Sequence, residues 1–103
     1  MQSKVKEFNH NKKCHNEKMP VSARVLDIQS EVGELAKEVL KNSKYGTQEF
    51  VVSEDFEMEL GDVLYSLLSL ADETGVDAGD CLDKVLAKYK SRIESSDNMG
   101  SGR

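Results

Sequence analysis

The sequence lacks several features that mark particular classes of protein. Tryptophan is absent and aromatic residues make up only 6% of the 103 residues, which argues against a stacking surface for single-stranded nucleic acid. The formal net charge is −5, whereas proteins that bind DNA or RNA usually present a basic face. The longest apolar stretch, VLYSLLSLA, is too short to span a bilayer, and the polar start MQSKVKEFNHNKK does not resemble a signal peptide. We therefore expect a cytoplasmic protein without nucleic-acid or membrane partners.

Cysteine and proline are also scarce, with two cysteines and one proline. Because no secretion signal accompanies Cys14 and Cys81, both are expected to be reduced thiols. His10, Cys14 and His15 offer three zinc ligands, but they lack the paired spacing of a zinc finger or ribbon, so a polar loop or helix end is favoured. The sequence also contains no EF-hand loop, which argues against calcium buffering.

Apolar residues recur at intervals of three and four along most of the chain, which predicts helices. The spacing predicts helices over 21–43, over 54–73 after an N-cap at Ser53, and after a second cap at Asp77, with a weaker helix over 3–12. The expected fold class is therefore all-α, an antiparallel helical bundle. Because a chain of this length buries only a modest core, we expect homo-oligomerisation to complete it.

The domain organisation follows from the same pattern. We expect one helical domain over residues 1–94, because the chain is too short for a second core. Residues 95–103, SSDNMGSGR, have the composition of a flexible C-terminal tail.

Acidic residues follow the two long predicted helices as narrow stripes beside the apolar face. The stripes consist of Asp27, Glu31, Glu34 and Glu38 in the first helix and Asp55, Glu59 and Asp62 in the second. If the helices pack antiparallel, the stripes face each other across a crevice, where unneutralised carboxylates would raise one another's pKa. Oxygen ligands of this kind suit Mg²⁺ or Mn²⁺ and a metal-bound phosphate. The alternative is that these acids are ordinary solvated helix faces.

The last predicted helix carries three cations at intervals of four, Lys84, Lys88 and Arg92, on a side away from its apolar stripe. Cations near the C-terminal end of a helix commonly interact favourably with the helix dipole and increase solubility. The functional interpretation is that one or two of them contact the phosphates of a nucleotide.

Two segments, EVGELAKE at 31–38 and ELGDVLYSLLSLA at 59–71, resemble the MazG-type nucleoside triphosphate pyrophosphohydrolases of the all-α NTP pyrophosphatase superfamily. The family signature is E-x-x-E on one helix and E-x-x-D on the next, with 24 residues between the two motifs here. The downstream AKYKSRI is similar to a family segment that contacts substrate. The resemblance covers roughly residues 20–93. It departs at Ser30 and Met58, where family members often carry a further glutamate.

The resemblance implies Mg²⁺-dependent hydrolysis of a (deoxy)nucleoside triphosphate between its α and β phosphates, giving a monophosphate and pyrophosphate. The metal ligands it implies are Glu31, Glu34, Glu59 and Asp62. Glu38 or Glu31 would position the attacking water. Lys88 and Arg92 would contact the substrate, with Lys84 as a further candidate. The family also implies a homodimer or homotetramer, and nucleotide-pool sanitation is the expected role.

Several alternatives remain open at the level of sequence. One is a related enzyme of the superfamily, a phosphoribosyl-ATP pyrophosphohydrolase or a dUTPase. Another is a non-catalytic helical oligomer that binds a protein partner, which the departures at Ser30 and Met58 favour. Phe50 or Tyr65 could stack on a base, but a place in the core is favoured for both.

Overall fold

The computed structural model describes residues 1–11 and 19–99 of the chain. Within these ranges the protein is entirely helical, which confirms the all-α prediction. The helices are α1 (Gln2–Asn11), α2 (Val21–Asn42), α3 (Glu54–Glu73) and α4 (Ala78–Met99). Cys14 and His15, which belong to the disfavoured zinc interpretation, lie outside the described residues. Over the same ranges, no helix has the length and apolar character needed to cross a membrane.

Helices α2 and α3 form the main contact of the fold and run antiparallel. Arg24 near the start of α2 binds Glu73 at the end of α3, with 2.7 Å between Nη2 and Oε2. At the opposite end, the Nζ of Lys41 lies 3.9 Å from Oδ2 of Asp55. The two acidic stripes therefore face each other, as the sequence predicts for an antiparallel pair.

Local sequence signals set the ends of α3. The Ser53 hydroxyl accepts a hydrogen bond from the amide of Phe56 at 3.1 Å, the interaction of an N-cap. At the other end Gly75 adopts a left-handed φ of 74°, and the amide of Val76 donates to the carbonyl of Ala71 at 2.8 Å. This is the C-terminal motif that glycine commonly permits, because glycine has no Cβ to clash in that conformation.

Helix α1 packs against α3 through polar and aromatic contacts. The amide of Asn9 donates to the Ser69 hydroxyl at 3.0 Å and its carbonyl accepts from the Tyr65 hydroxyl at 2.5 Å. The ring of Phe8 meets that of Tyr65 edge-on, with 6.0 Å between centroids. The Gln2 side chain accepts from the first amide of α4, that of Ala78, at 2.7 Å. These contacts hold α1 against α3 and connect it to the start of α4.

Helix α4 packs along none of the other three helices in the described part of the chain. Its apolar stripe remains 49–62% exposed, and consists of Leu82, Leu86, Tyr89 and Ile93. Among the described apolar residues, Val63 alone is buried, with 8% of its surface exposed. The radius of gyration is 18.0 Å, against about 13 Å for a compact domain of this size. A single copy of the chain therefore has almost no apolar core.

Helix α4 also extends further than the sequence suggests. It continues to Met99, so the expected start of the tail at residue 95 falls inside the helix. The serine, aspartate and asparagine of this segment have only modestly low helix propensity, which an established helix readily overrides. The domain boundary at residue 94 remains a prediction.

Candidate functional site

Three carboxylates from the two facing stripes come together between α2 and α3. Glu31 projects from α2, and Glu59 and Asp62 project from α3. One oxygen of each lies within 4.8 Å of the others. Glu59 and Asp62 share a face because residues three apart on a helix are neighbours. Antiparallel packing of α2 then brings Glu31 opposite these two residues. The three carboxylates therefore form a group of oxygen ligands that needs only α2 and α3.

The electrostatics of this group favour a bound cation. Burial raises the pKa of Glu31, and the nearby carboxylate of Asp62 raises it further. The pKa of Glu59 is raised by the same two causes in the same order. Both shifts reflect the cost of holding several negative charges close together in a partly desolvated cleft. A divalent cation between the carboxylates would reverse that cost.

Two carboxylate oxygens at the site are buried and accept no hydrogen bond from the described residues. They are Oε2 of Glu59 and Oε1 of Glu38. A buried acceptor left unsatisfied costs about 1–3 kcal/mol, and more when it is charged. Such atoms in a structure call for a ligand, and their oxygen chemistry matches the preference of Mg²⁺ and Mn²⁺.

Glu34 and Glu38 border the three clustered carboxylates on the α2 side. Oε2 of Glu34 lies 3.5 Å from the Nζ of Lys37, and Oε2 of Glu38 lies 3.3 Å from the Nζ of Lys41. The charges of both still contribute to the raised pKa of Glu59. The structure thus brings together three of the four predicted metal ligands and places Glu34 at their edge, paired with a lysine.

An ion-pair cluster at the end of the cleft was not anticipated from the sequence. Arg24 is only 7% exposed and binds the Glu73 carboxylate through two hydrogen bonds of 3.1 and 2.7 Å. It also lies 3.6 Å from Asp27, which accepts a hydrogen bond from Ser66 at 3.2 Å. Asp27 is therefore engaged, although it belongs to the predicted acidic stripe. The available signal was an arginine next to the apolar positions of the first long predicted helix, three residues before Asp27 of the acidic stripe.

The predicted substrate-binding cations lie on α4 and are exposed. The Nζ of Lys88 is 5.5 Å from the centre of the Tyr89 ring, and the Cζ of Arg92 is 6.0 Å from it. Both cations therefore approach one residue of the apolar stripe, Tyr89, whereas the sequence predicts all three cations on a side away from that stripe. The charges with the largest effects on Glu31 and Glu59 all come from α2 and α3. Lys84 likewise belongs to α4, which does not pack along the acidic cleft.

The two candidate base-stacking residues are engaged in the fold. Phe50 meets Phe56 with 5.0 Å between ring centroids. Tyr65 binds Asn9 and packs against Phe8. These contacts agree with the favoured interpretation that both aromatic rings serve packing.

Comparison with known proteins places this architecture in a family. Residues 22–96 match the MazG nucleotide pyrophosphohydrolase domain. The chain is 36% identical over 73 residues to the uncharacterized protein YpjD of Bacillus subtilis (strain 168). The matched region covers 68% of this chain and 64% of that relative. No solved structure shows a significant match. The chain therefore belongs to the MazG family, a class of hydrolases that act on nucleotide pyrophosphate bonds and typically use a divalent metal.

Proposed function

We propose that the protein hydrolyses (deoxy)nucleoside triphosphates at the α–β phosphoanhydride in a Mg²⁺-dependent reaction, releasing a nucleoside monophosphate and pyrophosphate. The main support for this proposal is that one carboxylate oxygen from each of Glu31, Glu59 and Asp62 lies within 4.8 Å of the others in a MazG domain. Nucleotide-pool sanitation in the cytoplasm, by a homodimer or homotetramer, is the role that this chemistry would serve.

The residues present fit a divalent metal. Three carboxylates supply oxygen ligands at short mutual distance, and Oε2 of Glu59 is buried and accepts no hydrogen bond from the described part of the chain. Glu34 can join them as the fourth ligand, because its partner Lys37 is held in an exposed i,i+3 pair. Such a pair is worth only about 0.3–0.5 kcal/mol, so little is lost when the Glu34 side chain rotates towards the cleft.

Bound metal would neutralise the triphosphate and lower the pKa of a coordinated water. The chain also supplies a carboxylate outside the three clustered ones, that of Glu38, which could orient this water. Oε1 of Glu38 is buried and has no hydrogen-bond partner among the residues that the structure describes, and the charge of Glu38 acts on Glu59. Glu38 would therefore hold the water through one oxygen while its other oxygen stays on Lys41. Glu31 is the alternative, and serves only if metal leaves one of its oxygens available.

Lys88 and Arg92 would bind the phosphates of the leaving pyrophosphate, away from the α phosphorus that water attacks. Lys84 would be a further contact. Charged donors of this kind stabilise the negative charge that moves to the leaving pyrophosphate. Ser30 and Met58 stand where many family members have glutamate, so this site would work with fewer carboxylates.

The first test is metal binding, measured by thermal melting with and without Mg²⁺. Selective binding to the folded state should raise the melting temperature of the wild type. Glu59→Gln should lose this shift, and Glu57→Gln, an exposed acid on another face of α3, should keep it. An equal shift in wild type and Glu59→Gln would overturn the assignment of the metal site.

The second test is a substrate panel of canonical and modified triphosphates, including dUTP and phosphoribosyl-ATP, with pyrophosphate and orthophosphate measured separately. Glu59→Gln should lower pyrophosphate release by more than about 100-fold, since even partners outside a metal's ligand set contribute 10–100-fold. Turnover of dUTP or phosphoribosyl-ATP alone would assign one of the related activities of the superfamily instead. Absence of turnover for every compound would leave a non-catalytic helical oligomer.

A further inference from the structure

Asp27 and Ser66 join α2 and α3 just beyond the clustered carboxylates. On α2, Asp27 precedes Glu31 by four residues, which is one helical turn or about 6 Å along the axis. On α3, Ser66 follows Asp62 by the same interval, and its hydroxyl donates to Oδ2 of Asp27 at 3.2 Å. Burial and Asp62 raise the pKa of Glu31 most, and the charge of Asp27 is the next contributor. Asp27 therefore lies close to the site without belonging to its three clustered carboxylates.

One oxygen of Asp27 is held in place while the side chain stays accessible. Both contacts that the carboxylate makes within the described ranges use Oδ2, namely the hydrogen bond from Ser66 and an approach of 3.6 Å to Nη1 of Arg24. Ser66 is buried, and Arg24 is buried and bound to Glu73, so both partners are fixed. The Asp27 side chain is nevertheless 39% exposed. It therefore offers its second oxygen, Oδ1, as a positioned acceptor for a bound molecule.

The charge of Asp27 limits which part of a nucleotide it can bind. A carboxylate repels phosphate groups, and the neighbouring cation, Arg24, is already occupied by Glu73. The sugar joined to the α phosphate offers neutral hydroxyl donors instead, and an acidic side chain binds the ribose hydroxyl in dinucleotide-binding folds. Glu34 and Glu38, which the proposed reaction uses for metal and water, lie on the other side of the clustered carboxylates. The sugar therefore fits the Asp27 end of the cleft.

We propose that Asp27 recognises the sugar of the substrate, through a hydrogen bond that its Oδ1 accepts from a sugar hydroxyl. The inference rests on the proposed function and adds a determinant of substrate choice to it. Ser66 and Arg24 support this contact by holding the other oxygen of the same carboxylate. Removal of the acceptor should therefore penalise nucleotides that carry the hydroxyl and spare those that lack it.

The test compares three triphosphates with the same base: the ribonucleotide, its 2′-deoxy form and its 3′-deoxy form. For wild type, kcat/KM should be about 10- to 100-fold lower for at least one deoxy form, the loss expected when a hydrogen bond to a charged group is removed. The affected form identifies the hydroxyl. Asp27→Ala should lower kcat/KM for the ribonucleotide by a similar factor and leave that deoxy form nearly unchanged, so that the discrimination disappears. Asp27→Asn, which has the same shape, should weaken it in the same direction.

Two controls separate sugar recognition from a structural role of Asp27. Glu73→Gln disturbs the same ion-pair cluster without touching the acceptor, so it should keep the wild-type ratio between the nucleotides. Asp27→Ala should keep the rise in melting temperature that Mg²⁺ causes, because Asp27 is not a metal ligand in this account. Affinities for the α,β-methylene analogues of the three nucleotides should give the same ratios without turnover.

The possible failures are distinguishable. Equal kcat/KM of wild type for all three nucleotides, or an equal loss for all three in Asp27→Ala, would overturn sugar recognition and leave the proposed function standing. Loss of the Mg²⁺ effect in Asp27→Ala would overturn it as well, since Asp27 would then be a metal ligand. An inactive wild type would overturn both the sugar contact and the proposed function.

Discussion

The contact between α2 and α3 differs in kind from the exposed face of α4. The first joins two helices of one chain, with Arg24 bound to Glu73, Ser66 bound to Asp27 and carboxylates converging between the helices. The second is an apolar stripe whose residues remain 49–62% exposed. In a single copy the carboxylates thus converge within the chain, whereas most of the described apolar residues stay at least partly exposed. The residues that form the acidic cleft and the apolar residues of α4 therefore lie in different parts of the fold.

The largest expected effect comes from breaking the α4 surface. Leu86→Asp places a charge in the middle of the exposed stripe, where burial against another copy would leave it unpaired and costly. We expect the oligomer to dissociate to single chains and pyrophosphate release to be lost. Light scattering coupled to size exclusion checks the mass. Ser91→Asp, on the opposite side of the same helix, should retain the wild-type mass, and a wild-type mass for Leu86→Asp would contradict the role given to the stripe.

The next effect concerns the α2–α3 contact. Arg24→Met removes the partner of Glu73 and leaves a partly buried carboxylate, so the free energy of unfolding should fall by about 3 kcal/mol. Urea denaturation measures the change. The double variant Arg24→Met/Glu73→Leu should recover part of the loss, since it removes the orphaned charge as well. Equal stability of wild type and Arg24→Met would show that this ion pair does not hold the helices together.

A smaller effect is expected at the start of α3. The Ser53 hydroxyl accepts from the Phe56 amide and also receives a 2.6 Å hydrogen bond from Asn42 at the end of α2. Ser53→Ala should lower the free energy of unfolding by about 1 kcal/mol, the usual value of an N-cap. Ser53→Asp restores a capping oxygen and should recover most of it. If both variants unfold alike, the cap contributes nothing measurable.

The smallest expected effect is a pH dependence of the metal-free protein. Because the folded-state pKa of Glu31 and Glu59 is raised, the folded state binds more protons than the unfolded state between the ordinary carboxyl pKa and the raised values. The free energy of unfolding from this pair therefore falls as pH rises through that interval. Melting curves in chelator should show the fall in wild type and a weaker one in Glu59→Gln. Saturating Mg²⁺ should offset it, and a rise specific to wild type would contradict the assigned direction.

Local signals explain why much of the fold was predictable from the sequence. Ser53 and Gly75 act on backbone groups a few residues away, so they fix the ends of α3 without knowledge of its partners. The spacing of Glu59 and Asp62 likewise places both on one helix face. Antiparallel packing with the stripe of Glu31 then follows from two amphipathic helices that are consecutive in the chain and joined by residues 43–53.

The remaining features depend on contacts between distant segments. The burial of Arg24 requires Glu73, 49 residues away, and no local pattern pairs the two. The hydrogen bonds of Asn9 with Ser69 and Tyr65 similarly depend on how α1 packs against α3. The disposition of α4 was the least predictable feature, because an apolar stripe indicates that a helix is covered but does not identify the molecule that covers it.

The measurement that tests the central claim most directly is phosphorus NMR of the products formed from the best triphosphate substrate with Mg²⁺. Signals of the nucleoside monophosphate and pyrophosphate, present with wild type and Glu57→Gln and lost with Glu59→Gln, are the predicted result. Signals of the nucleoside diphosphate and orthophosphate, or equal product formation by Glu59→Gln, would contradict the assignment of the α2–α3 cleft as a pyrophosphohydrolase site.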